Sequence, residues 1–186
     1  MGATELVVAG TDELEPGVLD DVRALLDAAF DDPDAPEEAF DDDDWSHTIG
    51  GTHVLVLDVD GSVVSHASVV DRIIDVGGRP LRTGYVEGVA TRSSAEGEGH
   101  GTRVMGRIGE LIAERHQLGA LGTGAFHFYE RLGWERWQGP SFVRVGDELR
   151  RTPEDDDGIM VLRVDRTLAP DLTAPISCDD RVGDVW

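Results

Sequence analysis

The chain has 186 residues, 40% of them hydrophobic, and a formal net charge of -22, which suits one domain over residues 1–186 with a sizeable core. That charge argues against a nucleic-acid backbone or an anionic membrane as partner; it would attract a cationic ligand, although salt adaptation alone accounts for most of it. All 16 basic residues are arginine, so Schiff-base, Walker A and kinase-type lysine chemistry are excluded, and the single Cys178 excludes an internal disulfide or a cysteine-based zinc cluster.

Met1 to Gly10 lacks the basic-then-apolar pattern of a secretory signal and no run reaches transmembrane length, so a cytoplasmic protein is expected. Pro16 to Phe30 reads as an amphipathic helix with Leu19, Val22, Leu25, Leu26, Ala29 and Phe30 on one face. Asp31 to Asp44 is acidic, carries Pro33 and Pro36, and reads as a mobile loop. His53–Val59 and Ser62–Ile74 are predicted strands joined at Asp60-Gly61, and after Val76-Gly77-Gly78 a third strand covers Leu81–Thr91. From Gly101 to His116 the helical period gathers Val104, Met105, Ile108, Leu111 and Ile112. A short strand at Leu118–Leu121, a short helix at Gly124–Leu132, and closing strands at Phe142–Val145 and Ile159–Val164 complete the pattern, with an acidic turn over Arg151–Gly158. An antiparallel meander followed by β-α-β-α-β predicts an α+β, mixed α/β architecture: a mixed sheet flanked by helices.

The densest signal is the strand-turn-helix from Gly84 to Thr102, whose turn Glu96-Gly97-Glu98-Gly99-His100-Gly101 aims backbone N–H groups at an anion such as a pyrophosphate. Its alternating glycines miss the G-x-G-x-x-G spacing of a dinucleotide fingerprint. His47, His53, His66, His100, His116 and His127 show no metal-ligand spacing, so no metal is expected.

With Phe126-His127-Phe128-Tyr129-Glu130-Arg131-Leu132-Gly133-Trp134, this turn resembles the acetyl-CoA core of the GNAT superfamily of N-acyltransferases. The resemblance implies the GNAT fold, a central, mostly antiparallel mixed sheet with one parallel splayed strand pair. Gly99 and Gly101 fall on the two small positions of the cofactor loop, and Glu96 stands where the family has Gln or Arg, so backbone amides carry the binding while the acids face solvent. The implied acetyl-CoA contacts are Val89, Ala90 and Thr91 on the strand, with Gly88 allowing a bulge, and Gly97, Glu98, Gly99, His100, Gly101 and Thr102 on the turn. The Val89 N–H would polarise the thioester carbonyl and Tyr129 would protonate the leaving thiolate.

Five segments carry a closer resemblance, to the aminoglycoside 2'-N-acetyltransferases: Asp44-Trp45-Ser46-His47-Thr48-Ile49-Gly50-Gly51, Gly84-Tyr85-Val86-Glu87-Gly88-Val89, the Tyr129 segment, Asp155-Asp156-Asp157-Gly158, and the carboxyl end Cys178-Asp179-Asp180-Arg181-Val182-Gly183-Asp184-Val185-Trp186. It implies an acceptor site of Asp44, Glu87, Gly88, Asp156, Asp184 and the terminal carboxylate of Trp186, suited to a cationic aminoglycoside or amino-sugar, with direct attack of the amine and a homodimeric assembly. Either Glu87 through water or the Trp186 carboxylate takes the amine proton, and Glu87 is preferred because an α-carboxyl has a low reference pKa. The acidic loop is longer than in the family, so a family aspartate there has no clear counterpart, with Asp34 and Glu38 both left open, and Gly122 stands where relatives can carry serine. Two rivals stay open: a GNAT enzyme for another amino-sugar or polyamine, and a non-catalytic acyl-CoA or aminoglycoside-binding protein.

Overall fold

Residues 4–35, 39–164 and 170–186 are described in the computed structural model; Glu38, one of the two acids left open above, lies outside them. The chain forms two interleaved compact units, one of Met1–Val70 and Val86–Ile108, the other of Asp71–Tyr85 and Gly109–Trp186. Strands β3 (Val63–Val76) and β4 (Arg79–Thr91) and helix α3 (His100–Arg115) contribute residues to both.

In the first unit, β1 (Glu5–Gly10), β2 (Thr52–Leu57) and β3 pair antiparallel in sequence from the edge inward, with a bulge at Val56/Leu57. The expected hairpin forms, but its connection spans residues 58–62 and not Asp60-Gly61 alone: β2 ends at Leu57, β3 begins at Val63, Gly61 takes φ 86°, and the Asp60 carboxylate accepts from the N–H and hydroxyl of Ser62. Helix α1 (Pro16–Ala29) starts on a proline, whose missing N–H costs nothing at that position. It buries Val22, Leu25 and Leu26 against Leu55, Val63 and Ala90. Leu19, Ala29 and Phe30, assigned to the same face, are less buried.

The expected loop Asp31–Asp44 departs from expectation at its end, where Asp42–Thr48 forms helix α2. Asp41 caps it, its carboxylate accepting from the N–H groups of Asp43 and Asp44 at 2.8 and 3.0 Å, while Asp44 reaches back to the N–H of Asp41 at 3.1 Å. The first-turn acids Asp42, Asp43 and Asp44 favour the positive end of the helix dipole, so the charge run that reads as loop is a helix start.

The second unit holds β5 (Leu118–Gly122), β6 (Glu135–Arg136), β7 (Ser141–Val145), β8 (Glu148–Arg151), β9 (Ile159–Arg163) and β10 (Ile176–Asp179), besides the β3–β4 hairpin end. Gly77 and Gly78, at φ 59° and 85°, give that hairpin a two-residue turn that only glycine enters without strain. The strand order is β6-β9-β5-β4-β3-β10-β7-β8. It is a mixed, mostly antiparallel sheet, as expected, with β4–β5 parallel over Thr83–Tyr85 and Leu118–Ala120 only. A second parallel pair, β7–β10, was not anticipated. Strands β1, β6, β8 and β10 are absent from the sequence-based reading: β1 is a partly exposed edge strand, β6 has two residues, β8 is exposed throughout, and β10 is four residues wedged between β3 and β7. Helix α3 buries the five residues its period selected, all at 1% exposure or less. Helix α4 is shorter than expected, Phe126–Glu130. No helix among the described residues is long and apolar enough to cross a membrane.

Candidate functional site

In the first unit the chemistry gathers along β4. Gly88 adopts φ 57°, and a Cβ there would lie 3.0–3.2 Å from Thr48 and the Leu26 methyl, so the position is restricted to glycine by conformation and by space. Thr48 belongs to the last turn of α2, so the helix that carries Asp44 packs directly on this kink. Glu87, Gly88 and Val89 are partly exposed, with the Ser68 hydroxyl 3.4 Å from the Glu87 carbonyl; Ala90 is buried, and Ser65 donates to its carbonyl at 3.0 Å.

The kink is also held from β3. His66 Nδ1 lies 2.7 Å from the Gly88 carbonyl, His66 Nε2 lies 2.8 Å from His53 Nδ1, and His53 Nε2 lies 2.7 Å from the Thr11 hydroxyl. Burial lowers His53 to about 4 and, with the neighbouring His53, lowers His66 to about 3.

Beyond β4, Gly97 and Gly99 take φ 78° and 87° with open space at the place of a Cβ, and α3 begins at His100. Glu96 and Glu98 are exposed, and Glu98 accepts from His100 at 3.3 Å. A glycine turn feeding a helix start, with its acids in solvent, fits an anionic group bound by backbone amides. Gly101 and Thr102 follow in the first turn.

In the second unit, Tyr129 on α4 is 6% exposed, edge-on to Phe128 and Trp134, and burial pushes its phenol up to about 12 against a bond with Thr123. The carboxyl end is strapped down. Arg72 donates to the carbonyls of Val185 at 2.8 Å and Asp179 at 3.2 Å and lies 4.6 Å from the Tyr85 ring centre. Cys178 points its thiol at the Val185 carbonyl, and burial raises its pKa, which leaves it a packed thiol rather than a nucleophile. The backbone of Trp186 lies against β5: a Cβ on Gly122 would come within 3.0 Å of the Trp186 backbone carbonyl carbon and oxygen. The Trp186 indole Nε1–H is buried with no acceptor among the described residues.

Asp156 takes donors from its own unit. Its carboxylate accepts from the N–H and hydroxyl of Ser141, both at 2.8 Å, and from both terminal nitrogens of Arg151, and the Arg151 bond holds it down at about 2. Asp155 differs. Burial raises its pKa, and Glu154, Asp184 and Asp156 raise it further, so it shares the field of Asp184. Asp156→Asn is therefore expected to lower the melting temperature by loosening the turn between β8 and β9, a loss that calorimetry would register at neutral pH.

Arg72, Asp155 and the Thr11–His53–His66 chain have no signal in the sequence beyond residue type. Asp155 sits beside the chosen Asp156 and differs only in which way the turn aims it. Among the described residues no group of histidine, cysteine or acidic side chains forms a metal-binding cluster.

Residues 11–137 match the family model described as the acetyltransferase (GNAT) domain. The chain is 38% identical over 180 residues to an aminoglycoside 2'-N-acetyltransferase of Mycolicibacterium fortuitum, covering 95% of this chain and 89% of that one. A GNAT family N-acetyltransferase of Escherichia coli, solved in complex with CoA, superposes with a TM-score of 0.62 at 16% identity, over 98% and 96% of the two chains. For a GNAT acetyltransferase of Brucella melitensis in complex with acetyl-CoA the TM-score is 0.56 at 15% identity, over 92% and 94%. Some solved relatives are longer: the chain spans 33% of a probable N-acyltransferase of Enterococcus faecalis.

Proposed function

Since the chain belongs to the GNAT acetyltransferase family, we propose that it transfers the acetyl group of acetyl-CoA to the 2'-amine of an aminoglycoside, by direct attack on the thioester. The observation that carries this reading is the extended likeness, 38% identity over 95% of the chain, to an aminoglycoside 2'-N-acetyltransferase. The charge of -22 and the lack of lysine suit a polycationic acceptor. Homodimeric assembly, a cytoplasmic setting and a role in antibiotic resistance belong to the same proposal.

The turn Gly97–Thr102 binds the pyrophosphate through backbone N–H groups, and Val89, Ala90 and Thr91 align the pantetheine arm. Acetyl-CoA supplies the activated acyl group. Asp44, Glu87, Asp184 and the Trp186 carboxylate accept hydrogen bonds from the acceptor's amines and hydroxyls, and Gly88 belongs to the same proposed set. Asp155, which feels the charge of Asp184, joins that set more readily than the Arg151-paired Asp156. The buried Trp186 indole N–H offers a donor to a sugar oxygen.

Glu87 takes the amine proton through water, the amine nitrogen bonds to the carbonyl carbon, and the Val89 N–H stabilises the charge that develops on oxygen. The C–S bond then breaks and the sulfur leaves with the bonding pair. A phenol at about 12 is a weaker acid than a thiol near 8.5 by about three units, so Tyr129 acts first as a hydrogen-bond donor to the thiolate. Full proton transfer follows only as the departing sulfur is desolvated.

CoA thiol release is the test, with tobramycin, which has a 2'-amine, beside amikacin, which has a 2'-hydroxyl. Release with tobramycin alone is expected. Release with both moves the acceptor amine elsewhere, and release with neither, from folded protein, favours another amino-sugar or a binding protein. Gly122→Val is expected to raise the acceptor KM about tenfold by pushing the Trp186 carboxylate aside, with the acetyl-CoA KM unchanged, in steady-state assays.

A further inference from the structure

Two buried histidines, both 0% exposed, sit beside the substrate strand and have no part in the chemistry above. Their hydrogen-bond roles follow from the ends of the chain they form. The Gly88 carbonyl can only accept, so His66 Nδ1 carries a proton and donates to it at 2.7 Å. A neutral His66 then has an acceptor at Nε2, which requires His53 Nδ1 to donate at 2.8 Å. His53 Nε2 is in turn an acceptor, and the Thr11 hydroxyl donates to it at 2.7 Å. Thr11 itself accepts from the Gly50 N–H at 2.9 Å, and its alternative acceptor, the Gly51 carbonyl, is more distant at 3.4 Å. Every donor points toward Gly88. Burial keeps both rings neutral near pH 7, which this single direction requires.

The peptide unit at the end of the chain is Gly88–Val89. No cis peptide occurs among the described residues, so its N–H points opposite to its carbonyl. Holding the Gly88 oxygen on His66 therefore turns the Val89 N–H away from His66. The glycine's φ of 57° is a conformation that a flexible bulge would readily leave. Thr48 and Leu26 crowd it at the Cα, whereas His66 is the side chain that donates to its carbonyl.

We infer that His66, oriented by His53 and Thr11, is a positioning residue that fixes the Gly88–Val89 peptide and presents the Val89 N–H to the reacting carbonyl. This rests on the acetyl-transfer reading for its consequence, though not for its geometry. A directed chain of hydrogen bonds polarises its last member, so the peptide is both aimed and made a better donor. The histidines act on rate rather than on affinity, because the charge they help to stabilise exists only as the carbonyl is attacked.

The experiment pairs two variants of similar polarity. His66→Asn places an amide N–H where Nδ1 stood and keeps the donor to Gly88, whereas His66→Gln places its amide where Nε2 stood and loses it. The expected result is kcat within threefold of the parent for H66N and at least tenfold lower for H66Q, with both KM values held within twofold. Equal losses in the two variants, or none, overturn the proposal. Nitrogen-15 NMR of the parent protein gives a readout without turnover: both His53 and His66 are expected in the Nδ1–H tautomer, and the Val89 amide shift should move in H66Q and stay in H66N. An Nε2–H tautomer at either ring, or an unmoved Val89 amide, overturns it. A parent protein that releases no CoA with any amine removes the transfer reading, while the tautomer and the Val89 shift still decide the positioning.

Discussion

Replacing Glu87 by glutamine is expected to lower kcat by about 10²- to 10³-fold, the loss typical of a missing general base. Glutamine keeps the size and the acceptor oxygen of the side chain but cannot take a proton. The acceptor's amine arrives largely protonated near neutral pH and is nucleophilic only when its lone pair is free. With the base removed, the reaction depends on the small fraction of free amine in solution, so the residual rate of the variant should climb with pH as that fraction grows. The acetyl-CoA KM should not change. Pre-steady-state and steady-state CoA release across pH 6 to 9 (roughly the range where amines of this kind titrate) would check it. Unchanged kcat in Glu87→Gln would transfer the role to the Trp186 carboxylate, whose deletion would then carry the loss.

The second large effect is on stability in mild acid. His53 and His66 are held at about 4 and about 3 in the folded protein, by burial in both cases and by the His53 charge in the second. Their ordinary value is 6.5. Above that value neither state binds the protons and the pair costs nothing. As pH falls below it, the unfolded chain takes up protons that the folded chain refuses, and stability falls with it, by about 1.4 kcal/mol per pH unit for each ring that stays neutral. The decline ends once the folded imidazoles titrate, or once the fold is lost. For a protein with the usual net stability of about 5–15 kcal/mol this is a large share. Urea unfolding at pH 7.5 and pH 5 should show it, and H66N, which retains one imidazole, should halve the slope. A flat profile between those values would refute the neutral buried pair. Asp156 titrates in a separate window: its lowered pKa contributes stability above 3.8 that is lost only as pH falls toward about 2.

Much of the frame was legible because it is governed by short-range rules. The α3 core face follows from helical period, the turn before β3 from Gly61, which accepts a positive φ, and β4 from its apolar run before a glycine turn. Glu87, Gly88, Val89, Tyr129 and Trp186 are proposed site residues only through the family resemblance, which is carried by short segments of sequence. Helix α2 starts inside an acidic run that carries Pro33 and Pro36 and reads as loop, and the reciprocal cap between Asp41 and Asp44 is what makes it a helix start.

Other features depend on partners far apart in the chain, and no window of sequence contains them. Strand β10 exists because β3 and β7 leave a slot that Ile176 and Cys178 fill, both fully buried. Arg72 reaches the Val185 carbonyl across 113 residues of chain, and the Thr11 hydroxyl reaches His53 across 42. Whether Asp155 or Asp156 meets the Asp184 charge is set by Arg151 and Ser141, which claim Asp156 first. Composition and pattern determined by themselves that this is an acidic, lysine-free α+β chain with a glycine-rich turn before a helix, in segments that resemble an acyltransferase family. Only the tertiary structure decided which histidines turn inward and which carboxylates are already paired, because hydrogen bonds and burial depend on distance in space, and the local sequence restricts only distance along the chain.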